Sequence, residues 1–209
     1  HTAQQRQGMS LPGELAQVLA EDAEAIAALH DRELTTETLA ALREVGFPAN
    51  LGLLPAGEQS LEAWRLMAAA LEETSAADLD LLAADYAAIY LTGAYGASPC
   101  ESVWLDDDHL ACQAPMFELR KLYAEAGLAA MDWRKRPDDH LVLQLLFIAN
   151  VLRRSCGVDE LRRLAAMLDE HLLRWLPDFA ARVAARAETP FFAVLGRLTF
   201  GSGPAEAEA

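Results

Sequence analysis

Three groups of residues in this chain of 209 have the types and spacing to do chemistry. The first is Asp106, Asp107, Asp108, His109 and Cys112, which puts carboxylates, an imidazole and a thiol in one short stretch. Those are the donors of a metal site or a hydrolytic site. A structural zinc site needs a second Cys or His pair at set spacing, however, and none accompanies this one; no His-Glu-x-x-His occurs either. Three successive aspartates are commoner at turns and helix starts than as ligands. Cys100 has no histidine partner in a recognisable local pattern. Gly-x-Ser-x-Gly and the glycine loops that cradle phosphates are missing as well. The expectation is no catalytic residue, no metal and no cofactor.

The second group is Pro137-Asp138-Asp139-His140, which allows two readings. In one, Pro137 opens a helix, the aspartates of its first turn accept free amides, and His140 packs one turn in. In the other, Asp139 and His140 are exposed at the rim of a groove and bond a partner, the carboxylate suiting an arginine fork. The third group is aromatic. Tyr86, Tyr90, Trp104, Tyr123, Trp133 and Trp175 read as core, but Tyr95 and Trp104 also flank a glycine-containing loop over residues 92–99, where amphipathic rings beside acids suit a binding surface.

The charge is uneven. The chain has 17 Lys+Arg against 32 Asp+Glu, a net −15, and residues 66–119 hold ten acids and no base. A nucleic-acid partner would require cations, so it is excluded. At 53% hydrophobic residues the chain is also not an acidic disordered polypeptide. The acidic block is either solvated surface or a surface for a cationic partner. Three cysteines, an odd number without a Cys-x-x-Cys, fit reduced thiols in the cytoplasm. The longest apolar stretch, residues 141–152, is too short to span a membrane.

The elements that must position these groups are helical. Forty-one alanines and 35 leucines make up over a third of the chain, a composition that favours helix over sheet. Apolar stripes recur at helical spacing through Leu15–Leu29, Leu61–Leu71, Leu79–Tyr90, 113–126, Leu141–Leu152, Leu161–Leu176 and Phe191–Leu198. A short helix fits 36–45, Ser75 with Asp78 reads as a capping box, and Thr189-Pro190 reads as a helix start. Residues 50–60 read as a loop, and Pro177 should break or kink its helix. The fold class is all-α, a globular helical bundle. Residues 1–8, ahead of Met9, read as an addition before the native start, and 201–209 as a disordered acidic tail.

Four segments in order then resemble the TorD/DmsD family of chaperones for molybdoenzymes exported through the twin-arginine route. They are LAADYAAIYLTG (82–93), SPCESVWLD (98–106), PDDHLVLQLLF (137–147) and HLLRWLPDFAARVAARAETPFFAVLGRLT (171–199). The resemblance covers residues 78–200; residues 9–75 match only in helical character. It implies a larger N-terminal helical part (9–136) and a smaller C-terminal one (137–200) joined by a hinge near Pro137. It also implies a cytoplasmic, non-catalytic protein that binds the twin-arginine signal peptide and catalytic subunit of a molybdoenzyme. Such a chaperone delays export until the cofactor is inserted. On the family pattern, Pro137, Asp139 and His140 are tied to the peptide, with Glu101, Ser102, Trp104 and Tyr86 near the same groove. Gln144 stands where many relatives carry Glu, which removes a negative charge. The resemblance further implies a monomer or a dimer that exchanges helical parts, with no membrane insertion. An alternative is an assembly factor that binds the body of an oxidoreductase subunit. An enzyme built on Asp106–His109 has no motif behind it.

Overall fold

The computed structural model describes residues 13–132, 134–154 and 157–201. Residues 1–12, which include the expected added leader, residues 202–209 of the expected tail, Trp133 and Cys156 lie outside them. The described residues form ten α-helices: α1 (Gly13–Asp31), α2 (Thr36–Glu44), α3 (Glu58–Glu73), α4 (Leu79–Tyr86), α5 (Ser102–Leu105), α6 (Ala114–Glu125), α7 (Leu141–Arg154), α8 (Val158–Met167), α9 (Leu173–Arg186) and α10 (Pro190–Gly201). No strand occurs among them, only one antiparallel bridge between Cys100 and His140.

Local chemistry sets the helix ends. Thr35 caps α2 through its hydroxyl, which accepts the Thr38 N–H. The Ser75–Asp78 capping box is present, but it opens a single 3₁₀ turn, Ala76–Asp78, ahead of α4. Asp85, fully buried in α4, caps α10 from outside. Its carboxylate accepts the N–H groups of Glu188 and Thr189 at 3.0 and 2.8 Å, the Thr189 hydroxyl, and the Tyr95 hydroxyl at 2.6 Å.

Two expectations need correction. Pro137 does not begin a helix: residues 137–140 make a turn and α7 starts at Leu141. The turn stays out of the helix because its backbone pairs with residues 99–101 instead, as described below. Of the break or kink expected at Pro177, the break does not occur: α9 runs from Leu173 to Arg186 with Pro177 inside. A π-helical stretch, Leu168–Leu172, sits just ahead and joins α8 to α9. Wider turns of this kind accommodate a disturbed hydrogen-bond ladder. In addition, α3 begins at Glu58, inside the expected loop, and Gly201 closes α10 rather than opening the tail.

Helices from both sides of Pro137 share one core. α1 packs along α7, and α10 lies between α3 and α9. The centre is aromatic: Trp175, Phe179, Phe191 and Phe192 are fully buried, surrounded by Met67, Leu82, Ile89 and Leu141. A smaller cluster of Leu119, Tyr123, Phe147, Leu152, Leu164 and Met167 joins α6 and α8 to α7. α9 and α10 cross with Gly196 against Ala180, where a Cβ on Gly196 would fall 2.9 Å from Ala180 Cα.

Candidate functional site

The turn at 137–140 is tied to the segment before α5 by paired backbone bonds. The Glu101 N–H donates to the Asp139 carbonyl at 3.1 Å and the Leu141 N–H to the Pro99 carbonyl at 2.8 Å. These bonds bring two signature segments side by side although 37 positions separate Ser102 from Asp139. Side chains complete the knot. Asp139 Oδ2 accepts the Ser102 N–H at 2.8 Å, which caps the one-turn helix α5 from another part of the chain. Ser102 Oγ accepts the Gln113 N–H at 3.1 Å and holds the entry to α6. Gln144 Nε2 donates both to Glu101 Oε2 and to the Asp139 carbonyl, each at 3.0 Å.

Glu101 Oε1 meets His171 Nδ1 at 2.8 Å, and this pair reaches into the π-helical stretch before α9. Burial pushes the Glu101 carboxyl above the usual carboxylate range, although its bonds to His171 and Gln144 act the other way. Burial also opposes charge on His171, but the hydrogen bond and negative charge of Glu101, with Glu118 and Glu170, outweigh it and raise His171. The pair therefore keeps a proton to higher pH than either group alone in water.

The rest of the turn is anchored too. Asp138 holds the Arg120 guanidinium at 2.9 Å, and its carbonyl accepts the Tyr123 hydroxyl at 2.9 Å. His140 Nδ1 accepts the Val142 N–H at 3.1 Å, so the ring caps the start of α7. Burial lowers His140 to about 4; the nearby Arg136 charge adds to this and Asp31 partly offsets it.

Of the eight residues expected to form a site, Glu101, Ser102, Asp139 and Gln144 meet in this knot, all at 1% exposure or less. The exposed rim expected for Asp139 and His140 is corrected: they are 0% and 8% exposed, with Asp139 Oδ2 and His140 Nδ1 turned to the chain's own backbone and Asp139 Oδ1 buried without a hydrogen-bond partner among the described residues. Trp104 lies outside the knot, half-buried, with its indole N–H on the Ser98 carbonyl at 2.8 Å and the Arg182 guanidinium over its ring. Tyr86 belongs to a second locus. Its hydroxyl donates to the Asp31 carbonyl at 2.7 Å at the end of α1, where the Asp31 carboxylate pairs with Arg136, the residue before Pro137.

Sequence reasoning left out His171, Arg120, Asp31 and Arg136. His171 had a visible signal, since it stands four residues before Trp175 in the fourth resembling segment; the others had none. The Asp106–Cys112 stretch is a turn in which Asp106 Oδ2 accepts the N–H groups of Asp108 and Leu110, and His109 Nδ1 lies 3.0 Å from the Val103 carbonyl. Cys100 is buried, and burial, with Asp139 nearby, pushes its thiol up. The Cys100 thiol is therefore not an activated nucleophile.

Comparison with known proteins places this geometry. Residues 55–181 match the family model described as nitrate reductase delta subunit. The chaperone protein TorD of Photobacterium profundum is 30% identical over 77% of this chain and 79% of its own length. TorD of Vibrio parahaemolyticus is 28% identical over 81% of each chain, and the chaperone protein YcdY of Escherichia coli is 30% identical over 58% of this chain and 61% of its own. A crystal structure from Archaeoglobus fulgidus, described as a redox enzyme maturation protein, shares the fold with a TM-score of 0.55 at 16% identity, covering 93% of this chain and 97% of that one. The class is thus that of all-helical chaperones, as the curated relatives are named. Within that class, the chain belongs to the TorD/DmsD family. No helix among the described residues is long and apolar enough to cross a membrane.

Proposed function

We propose that the chain acts in the cytoplasm on the catalytic subunit of a molybdenum-cofactor oxidoreductase. There it binds the subunit's twin-arginine signal peptide and holds back export until cofactor insertion and folding are complete. One observation carries this reading: the partly exposed Asp31 carboxylate, whose backbone Tyr86 holds and whose charge acts on His140, pairs with Arg136, which itself lines a cavity with an apolar wall of Leu128, Met131, Leu143, Leu146 and Phe147. A leader with adjacent guanidiniums followed by an apolar stretch needs both features. On this reading the buried Glu101, Ser102, Asp139 and Gln144 act through position, by fixing the 137–140 turn, and do not touch the peptide.

The magnitudes agree. Two charge-assisted hydrogen bonds at about 1.5–3 kcal/mol each, with two buried apolar side chains at about 1.5–3 kcal/mol each, total about 6–12 kcal/mol before the peptide's ordering cost. Micromolar binding needs about 8 kcal/mol, and such affinity still permits release. The test is calorimetric titration with twin-arginine leaders from the host and their Lys-Lys versions. Micromolar binding that the Lys-Lys change weakens is expected; no heat with any leader contradicts the reading.

The match to the nitrate reductase delta subunit model favours a second reading, in which the body of the oxidoreductase subunit is bound instead. Full affinity for a leaderless subunit would select it.

A further inference from the structure

Arg136 deserves a role of its own. Its guanidinium forms an ion pair with Asp31 Oδ1, while Arg32 stands 3.6 Å from Oδ2 on a largely exposed side chain. Asp31 is the last residue of α1. A negative charge there opposes the helix dipole, which favours cations at a C-terminus, so this carboxylate sets up a local demand for a cation. The pair is neither sealed nor fully solvated, with side-chain exposures of 26% for Asp31 and 37% for Arg136. Tyr86 secures the backbone beneath it by binding the Asp31 carbonyl. Arg136 also borders an open cavity of about 510 Å³ with an apolar wall of Leu128, Met131, Leu143, Leu146 and Phe147, the rest of its lining including Asp132, Lys135 and Asn150. Met131 is fully exposed and Leu146 41% exposed, so the apolar wall is reachable from solvent.

We propose that Asp31 is a guanidinium-binding site and that Arg136 is its internal occupant, displaced when an arginine of a client leader takes its place. This rests on the leader-binding reading above and deepens it. The arrangement supplies both features of the leader, a cation site and an apolar wall that adjoin at Arg136. The exchange replaces one guanidinium–carboxylate pair by another. The charge lost at Arg136 is regained from the peptide, and the freed Arg136 side chain moves to solvent. The internal occupant lowers leader affinity and keeps the carboxylate from binding stray cations. A lysine competes poorly, because an ammonium cannot reproduce the planar fork.

The test uses the full chain and a synthetic leader with two adjacent arginines followed by an apolar stretch, titrated calorimetrically, with thermal melts confirming that each variant is folded. Arg136→Gln should tighten binding about fivefold and Asp31→Asn weaken it about tenfold. In the Asp31→Asn background, Arg136→Gln should give no gain. Unchanged affinity in both single variants overturns the assignment. If no leader binds any form, the leader reading falls, and Nα-acetylarginine amide then decides the site by NMR. Shifts at Tyr86 and His140 in Arg136→Gln that vanish with Asp31→Asn uphold a guanidinium site; no shifts overturn it.

Discussion

Glu101 and His171 share one buried hydrogen bond, and neither is cheap to keep without the other. Removing one partner of a buried pair leaves the second desolvated, at a typical cost of about 3–5 kcal/mol. His171→Ala should therefore destabilise the fold by about that amount in urea unfolding. Glu101→Gln, which keeps the shape and an acceptor, should cost clearly less than Glu101→Ala. His30 and His140 work in the opposite sense to His171. Burial holds His30 at about 3 and His140 at about 4, against an ordinary value of 6.5. For both the folded state takes up fewer protons than the unfolded chain below pH 6.5. Their stability contribution is therefore full above 6.5 and is lost as pH falls toward the folded values. His171 and Glu101, both raised, contribute stability at low pH that is lost as pH rises through their folded values. Between pH 6 and 5 each of the two neutral histidines should add on the order of 1 kcal/mol to acid destabilisation. His140→Gln should flatten the wild-type slope by about that amount in urea titrations at the two pH values. An unchanged slope would show that His140 titrates normally.

At the scale of elements, α10 is held at its start by Asp85 and along its length by Ala180 of α9. Asp85→Ala removes the acceptor for two backbone amides and two hydroxyls, and should cost at least about 2 kcal/mol on the usual range for caps and charged hydrogen bonds. Gly196→Ala should also destabilise. The overpacking cost of about 1–3 kcal/mol exceeds the gain of about 1 kcal/mol from better helix propensity; a thermal melt reads both variants. The helices themselves were legible in the apolar periodicity, and the starts at Ser75 and Thr189-Pro190 in residue type. Less legible was which face each helix buries. α1 turns Ala16, Ala20 and Ala27 inward and leaves Leu15 and Val18 exposed, because small residues let α7 approach closely. A reading keyed to large side chains misses that. Pro137 misled for a related reason. Proline at a helix start and proline in a turn before a helix look alike, and the choice was made by backbone bonds to residues 99–101. The gathering of Glu101, Ser102, Asp139 and Gln144 was legible only through family resemblance. Their burial was not, because sequence does not show that Asp139 caps a helix 37 positions away.

For the whole molecule, the net −15 and the base-free run at 66–119 still describe mostly solvated surface, since Asp107, Asp108, Glu72 and Glu73 are exposed. Within that run Asp85 and Glu101 are buried and serve the fold. The carboxylate that meets a guanidinium at the proposed site, Asp31, lies outside the run. On the proposed reading, the general negative field steers a cationic leader toward the chain, while the partly buried Asp31 carboxylate binds it. Leader affinity should fall as salt rises from 50 to 300 mM, since the Debye length is about 10 Å at 0.1 M, but only modestly, because the contact itself is partly shielded. The central claim is that the chaperone grips its client by the leader. The most direct measurement compares the dissociation constant of this chain for one molybdoenzyme catalytic subunit with its twin-arginine leader, without it, and with both arginines changed to lysine. The account predicts micromolar or tighter binding to the first and much weaker binding to the other two. Equal affinity for all three would contradict it.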